Sequence, residues 1–263
     1  MKLLSYDTSS DALSAALYED GRRLAGFHAA SFVKHSSGLV PALDRFLARK
    51  RTRLRDIDCL AISLGPGSFT GLRVGVTTAK VLAYALNLKV VGISSLEAMA
   101  FGIPGWNGPI AVLLDARKGK LYAAIYERNG KIFKTVLAPK LVELEDLVTR
   151  VKRPTLFVGD AVPVYRERLT GELGERFLSH GSKTIPAPLA ESIAKIAFRL
   201  IREGKFQDPF ALEPLYLHPR DCNVMVRPTY GAKRRQVGHA PSSRGGATQR
   251  QRGISVSAYG AKS

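Results

Sequence analysis

The sequence predicts an α/β fold built from two similar lobes, on three observations. An apolar strand closed by an aspartate and a short turn occurs twice, as Lys2 to Tyr6 before Asp7 and as Ile110 to Leu114 before Asp115. Each copy leads into alternating segments that read as meander strands: Ala12 to Tyr18 and Arg22 to Ala29 in the first half, Leu121 to Arg128 and Lys131 to Val136 in the second. Further apolar runs then turn into segments of helical period, Cys59 to Leu64 into Leu72–Leu86 and Thr155 to Val158 into a short helix through Tyr165 and Leu169. The expected organisation is an N-terminal lobe over 1–101, a Gly- and Pro-rich linker over 102–108, a C-terminal lobe over 109–222, and a basic low-complexity tail over 223–263. The tail has no apolar periodicity, so it cannot bury enough surface to order itself.

Taken in order, Glu19-Asp20-Gly21 turns the first hairpin. A helix starting near Ser36 carries Leu39, Val40, Leu43, Phe46 and Leu47 on one face. The run Arg49 to Arg55 holds five basic residues in seven. It reads as a solvated loop or as an RNA contact. Ser94-Ser95-Leu96-Glu97 has the spacing of a capping box opening the next helix. Asn129-Gly130 suits a type I′ hairpin turn. Pro186-Ala187-Pro188 precedes a helix over Leu189–Arg202, with Ile193, Ile196, Ala197 and Leu200 on its buried face and Gly204 at its end.

The stretch the chain is organised around is Gly65-Pro66-Gly67-Ser68-Phe69-Thr70-Gly71-Leu72-Arg73. Three glycines permit close backbone approach, while Pro66 and the capping hydroxyls of Ser68 and Thr70 stiffen the turn. Its backbone N–H groups could converge on an anion, a carboxylate or a carbonyl. Spacing excludes two familiar phosphate loops. The P-loop ends Gly-Lys-Ser/Thr, whereas this loop ends Gly71-Leu72-Arg73; in the dinucleotide fingerprint the last glycines are three apart, whereas Gly67 and Gly71 are four apart. The helix that follows spreads its apolar residues over more than one stripe, so it buries one face on its own sheet and offers another elsewhere.

Together with Ala79-Lys80, Val90 to Ala98, Leu3 to Ser9, His35-Ser36 and Pro214 to Leu217, this loop resembles the TsaB family. The resemblance covers about residues 1–220 and implies a fold of the actin-like ATPase (ribonuclease H-like) type. It also implies a dimerisation subunit of the machinery that makes N6-threonylcarbamoyladenosine in tRNA. By the same resemblance the partner surface falls on Leu39, Leu43, Phe46, Val76 and Lys80. Gly65, Gly67, Ser68, Thr70, Gly71 and Arg73 form a conformational loop. The implied partners are a homologous catalytic subunit of TsaD type, a small ATPase of TsaE type, tRNA reached through the complex, and a second copy when the chain is alone.

ATPases of that fold hold nucleotide phosphates and magnesium at Asp-x-Gly-Thr turns. Here Asp7, Thr8 and Ser9 put a side chain where the glycine belongs, and Arg117 and Lys118 follow Asp115. Asp7, Thr8, Ser9 and Asp115 are therefore expected to line a degenerate cleft. For Asp7 two readings stand, a ligand or a cap of its own turn. The His-x-x-x-His metal pair of the related catalytic subunit would begin at His35, but Leu39 occupies the second position. No metal site, no catalytic residue and no resident cofactor are expected. ATP or ADP with magnesium at the subunit joint is the one ligand left open.

The formal charge is +18, and the tail from Asn223 supplies eight Lys or Arg and no acid. Residues 1–222 thus carry +10, a balance that tolerates RNA. Cys59 and Cys222 read as reduced thiols. No apolar run of membrane-spanning length and no signal pattern occur, which points to the cytoplasm. Against the partner-subunit reading stand a stand-alone actin-like ATPase or kinase, a peptidase, and an RNA-binding protein acting through its tail. Neither a Gly-x-Ser-x-Gly elbow nor a His-Glu-x-x-His helix is present.

Overall fold

The computed structural model describes residues 1–30, 38–130, 132–179 and 189–217. His35, Ser36, the Pro186–Pro188 entry to the last helix, Cys222 and the tail lie outside them. The described residues form one compact unit.

The first sheet contains β1 (Lys2–Asp7), β2 (Leu13–Glu19), β3 (Arg22–Ala29), β4 (Cys59–Gly65) and β5 (Lys89–Ser94), in the order β3-β2-β1-β4-β5. The first three pair antiparallel and the last two join β1 in parallel. The second sheet repeats this plan with β6 (Gly108–Asp115), β7 (Leu121–Asn129), β8 (Ile132–Val142), β9 (Thr155–Val158) and β10 (Phe177–Ser179), ordered β10-β9-β6-β7-β8. This doubled plan of a three-stranded meander extended by parallel strands is the ribonuclease H-like arrangement of the actin-like ATPases.

Period-2 alternation explains how the layers form. In the first sheet Leu4, Tyr6, Leu13, Leu60, Ile62 and Val90 point to an outer layer made by α1 (Leu39–Ala48) and α2 (Phe69–Leu86). Leu3, Ala16, Cys59, Ala61 and Val91 point the other way, into a middle layer of α3 (Ser95–Phe101) and α7 (Leu189–Arg202). Ile110, Val112 and Leu114 of β6 enter that same middle layer from the second sheet, and one cluster joins both halves. The outer face of the second sheet is covered by α4 (Leu144–Val148), α5 (Ala161–Val164) and α6 (Arg166–Leu173). Among the described residues, no helix is long and apolar enough to cross a membrane.

The last helix therefore lies in the second half of the sequence but packs on the first sheet. Polar groups fix it there. Ser5 Oγ donates to Ala190 O at 2.7 Å, Ala190 N donates to Ser14 Oγ at 3.1 Å, and Arg199 pairs with Glu97 of α3 at 2.9 Å. The capping box expected at Ser94 does not form: Ser94 makes no side-chain cap bond, and Glu97 turns to Arg199 instead of back to the helix start. The turn between β7 and β8 is offset by one residue from the expected Asn129-Gly130 pair. Asn129 pairs with Ile132 inside the ladder, so Gly130 (φ +58°) is the first turn residue, not the second.

Replacing Ser14 by Ala should cost about 1–3 kcal/mol, because it leaves the buried Ala190 N–H without its acceptor. Urea unfolding of the two proteins measures this.

Candidate functional site

The glycine loop is built against the turn that follows β1. Ser68 caps α2, accepting from Gly71 N at 3.3 Å, while its own N–H donates to Ser9 O at 2.7 Å. Thr8 Oγ1 donates to Gly71 O at 2.8 Å, and Tyr6 OH donates to Gly75 O at 2.8 Å. Ser95 Oγ holds the other side of the loop through Pro66 O. A Cβ at Gly67 would overlap Ser9 O, one at Gly71 would overlap Thr8 O, and one at Gly75 would overlap the Thr8 hydroxyl. These glycines let two backbone segments touch, and no ligand is needed to explain them. Thr70 is exposed in the first helical turn and makes no cap, since the helix begins one residue before it. Arg73 lies over the Phe69 ring at 3.8 Å and donates from Nε to Tyr216 OH at 3.2 Å.

The two aspartates have different fates. Asp7 is buried and accepts from Ser9 N at 3.1 Å, so its side chain caps its own turn. Burial holds its carboxyl above the usual range, while hydrogen bonds from Ser9 and Ser63 pull the other way. Asp115 is exposed and accepts from Arg117 N at 2.8 Å, with the Arg117 guanidinium at 3.5 Å. Arg117 and Lys118 both adopt positive φ. Asp160 Oδ1 accepts from Asp115 N at 3.0 Å, and burial raises its carboxyl, with the nearby Asp115 charge acting the same way. Among the described residues Asp7 and Asp115 each accept from their own turn, at Ser9 N and Arg117 N, and no group of three His, Cys, Asp or Glu could hold a metal. Cys59 is buried, and burial pushes its thiol up to about 12, so it supplies no thiolate at neutral pH.

Comparison with known proteins identifies the surroundings of this loop. The family model of TsaD, tRNA N6-adenosine threonylcarbamoyltransferase, matches residues 30–207. The tRNA threonylcarbamoyladenosine biosynthesis protein TsaB of Escherichia coli is 33% identical over 225 residues, covering 82% of this chain and 94% of its own. That of Bacillus subtilis is 30% identical over 221 residues with the same coverage. The chain belongs to the TsaB family. The solved structure of YeaZ from Pseudomonas aeruginosa superposes with a TM-score of 0.70 at 25% identity, over 82% of this chain and 99% of that one. This TsaB-family protein is thus a component of tRNA threonylcarbamoyladenosine biosynthesis.

The surface read from the sequence for this TsaB-family chain needs correction. Leu39, Leu43, Phe46 and Val76 are 0–5% exposed and sit in the core between the first sheet and its outer helices. They hold α1 and α2 on the sheet; Lys80 alone of that set is partly exposed. The helix does carry two stripes, as its pattern suggests, but the outward one was missed: Val81 is 59% exposed and Tyr84 72%. Phe210 stacks edge-on to Tyr84 at 5.4 Å, and Val40 of α1 is also exposed. The sequence signal for this stripe is the spacing of Arg73, Thr77, Val81 and Tyr84, one turn apart along one face.

Gly71→Ala should destabilise the fold by at least about 2 kcal/mol through overpacking on Thr8 O. The control Gly171→Ala, where a Cβ meets open space on α6, should stabilise by about 0.5–1 kcal/mol. Thermal and urea melts test both. Because the folded carboxyl of Asp7 is raised, the native state binds the extra proton, and stability falls as pH rises from about 3.9, the unfolded value, through the folded one. Asp7→Asn removes that loss. Its unfolding free energy should exceed that of the wild type by a margin that widens across this window and stays constant above it.

Proposed function

We propose that this chain is the non-catalytic partner of a homologous TsaD-like threonylcarbamoyltransferase, which it supports in modifying the tRNA adenosine next to the anticodon. The observation that carries the reading is the outward stripe of α2. A helix already packed on its own sheet displays Val81 and Tyr84 to solvent, with Phe210 laid against Tyr84 and Val40 on the neighbouring helix. Apolar and aromatic side chains grouped in this way mark a surface that is covered in the working assembly. Burying them against a second helical pair supplies affinity without any chemistry in this chain.

The turn after β1 supports the non-catalytic part. Where an ATPase of this fold brings phosphates, the chain lays its own glycine loop on Thr8 O and Ser9 O and seals Asp7 beneath. A Pseudomonas aeruginosa structure with a TM-score of 0.71 is described as similar to the peptidase YeaZ. The buried, protonated thiol of Cys59 and the buried carboxyl of Asp7 do not favour that chemistry here. In this reading nucleotide and magnesium belong to the joint with the catalytic subunit, a small TsaE-like ATPase joins the pair in the cytoplasm, and the same stripe mediates homodimerisation when the chain is alone.

Val81→Glu and Tyr84→Glu should abolish co-purification with the catalytic homologue while changing folding stability by no more than about 0.5 and 1.5 kcal/mol respectively, since both sites are exposed and Tyr84 gives up only its edge-on contact with Phe210. Leu43→Glu should instead unfold the chain, because it buries an unpaired charge. Failure of the wild-type pair to associate would reject the subunit reading. ATP turnover by the lone chain that vanishes in Asp7→Asn would reject its non-catalytic status.

A further inference from the structure

The turn after α1 holds a concentration of cations that the fold does not need. Arg45 and Arg49 close the helix, and Lys50, Arg51, Arg53 and Arg55 follow within one exposed turn. A helix C-terminus favours nearby positive charge, which accounts for Arg45 and Arg49. It does not account for the others. Arg51 stands in the left-handed region at φ +52°, where Gly or Asn fits with less strain. Among the described residues only Arg53 of this set is ion-paired, with Asp56 at 3.6 Å. Asp58 is engaged by the backbone of Lys2 at 2.6 Å.

The turn is held in shape from beneath. Lys50 N donates to Leu47 O at 2.8 Å, Arg51 N to Ala48 O at 2.9 Å, and Thr52 N to Leu47 O at 3.2 Å. Thr52 is buried and returns its hydroxyl to Lys50 O at 3.2 Å. Arg53 N donates to Asp56 Oδ2 at 2.8 Å, closing a 3-10 turn whose exit residue, Ile57, is buried. The cations therefore project from a fixed backbone, which limits the ordering cost of meeting a polyanion. Topology sets their place. Since β3, β4 and β5 run parallel, both α1 and α2 return along the sheet and finish at the same end of its strands. The basic turn thus lies at the end of the sheet where α2 presents Tyr84.

We infer that residues 45–55 form an RNA phosphate-backbone contact in the body of this protein. Only the identity of the polyanion, tRNA, rests on the function proposed above. Spaced guanidinium groups on a rigid turn neutralise successive phosphates without reading bases, so the contact adds salt-sensitive, sequence-independent affinity.

The test uses the full chain, alone and with the catalytic homologue, titrated with an unmodified tRNA transcript over a range of salt. The variant Arg49→Gln/Arg51→Asn/Arg55→Gln should lower affinity at least about tenfold at low salt and reduce the slope of log affinity against log salt by about 2–3. Its association with the catalytic homologue should be unchanged. The Arg→Lys version at the same three positions should keep both affinity and slope. An unchanged slope in the Gln/Asn variant overturns the inference, as does equal loss in the Lys version. Reduced binding to phosphatidylserine vesicles with tRNA binding intact also overturns it, in favour of a membrane contact. A wild-type chain that binds tRNA through this turn but never associates with the homologue would sink the subunit reading and leave this one standing.

Discussion

The structure depends on the contact between α2 and the turn after β1. Gly67, Gly71 and Gly75 present bare backbone to Ser9 O, Thr8 O and the Thr8 hydroxyl, and Tyr6 OH, Thr8 Oγ1 and Ser9 O tie the loop and helix down. With that many fixed points the helix cannot roll. Leu72, Val76, Ala79 and Ala83 face the sheet, so Val81 and Tyr84 must face out. One packing decision thus closes the approach to the β1 turn and creates the outward apolar stripe.

The middle layer makes the two lobes interdependent. The last helix comes from the second half of the sequence, yet Ser5 and Ser14 of the first sheet satisfy its Ala190 backbone. Side chains from both sheets meet around it in one cluster. The repeated strand order is therefore a repeat of pattern within a single core. The two post-strand turns show how the copies have diverged. The first is packed over by glycines, while the second is open, with Asp115 bound to its own Arg117.

Charge is distributed along a different logic from apolar burial. The helices α1 and α2 share one end of the sheet, and the dense basic turn sits there, away from the glycine loop at the opposite end. Its backbone is held by Leu47, Thr52 and Ile57, so the cations beyond the helix end, Arg53 aside, are presented by the fold and are not needed to hold it.

Much of this was legible from local pattern. Period 2 located the strands, period 3.6 located Leu189–Arg202 with the bounds the structure shows, and the repeated strand-aspartate-turn unit announced two like sheets. The Gly65–Arg73 loop declared itself by composition, because close approach and capping need those residue types wherever they occur. Local pattern could not say what each loop or stripe would meet. Val76 and Tyr84 are both large side chains on α2, and only the rotation imposed by the Thr8–Ser9 contact sends one to 3% and the other to 72% exposure. Ser94 had the capping-box spacing but lost Glu97 to Arg199, a residue 102 positions away. The sequence alone determined which elements form and in what order, because backbone propensity and periodicity are local. The tertiary structure decided which faces are buried and which carboxyl is sealed, because those depend on neighbours that only the folded chain brings together.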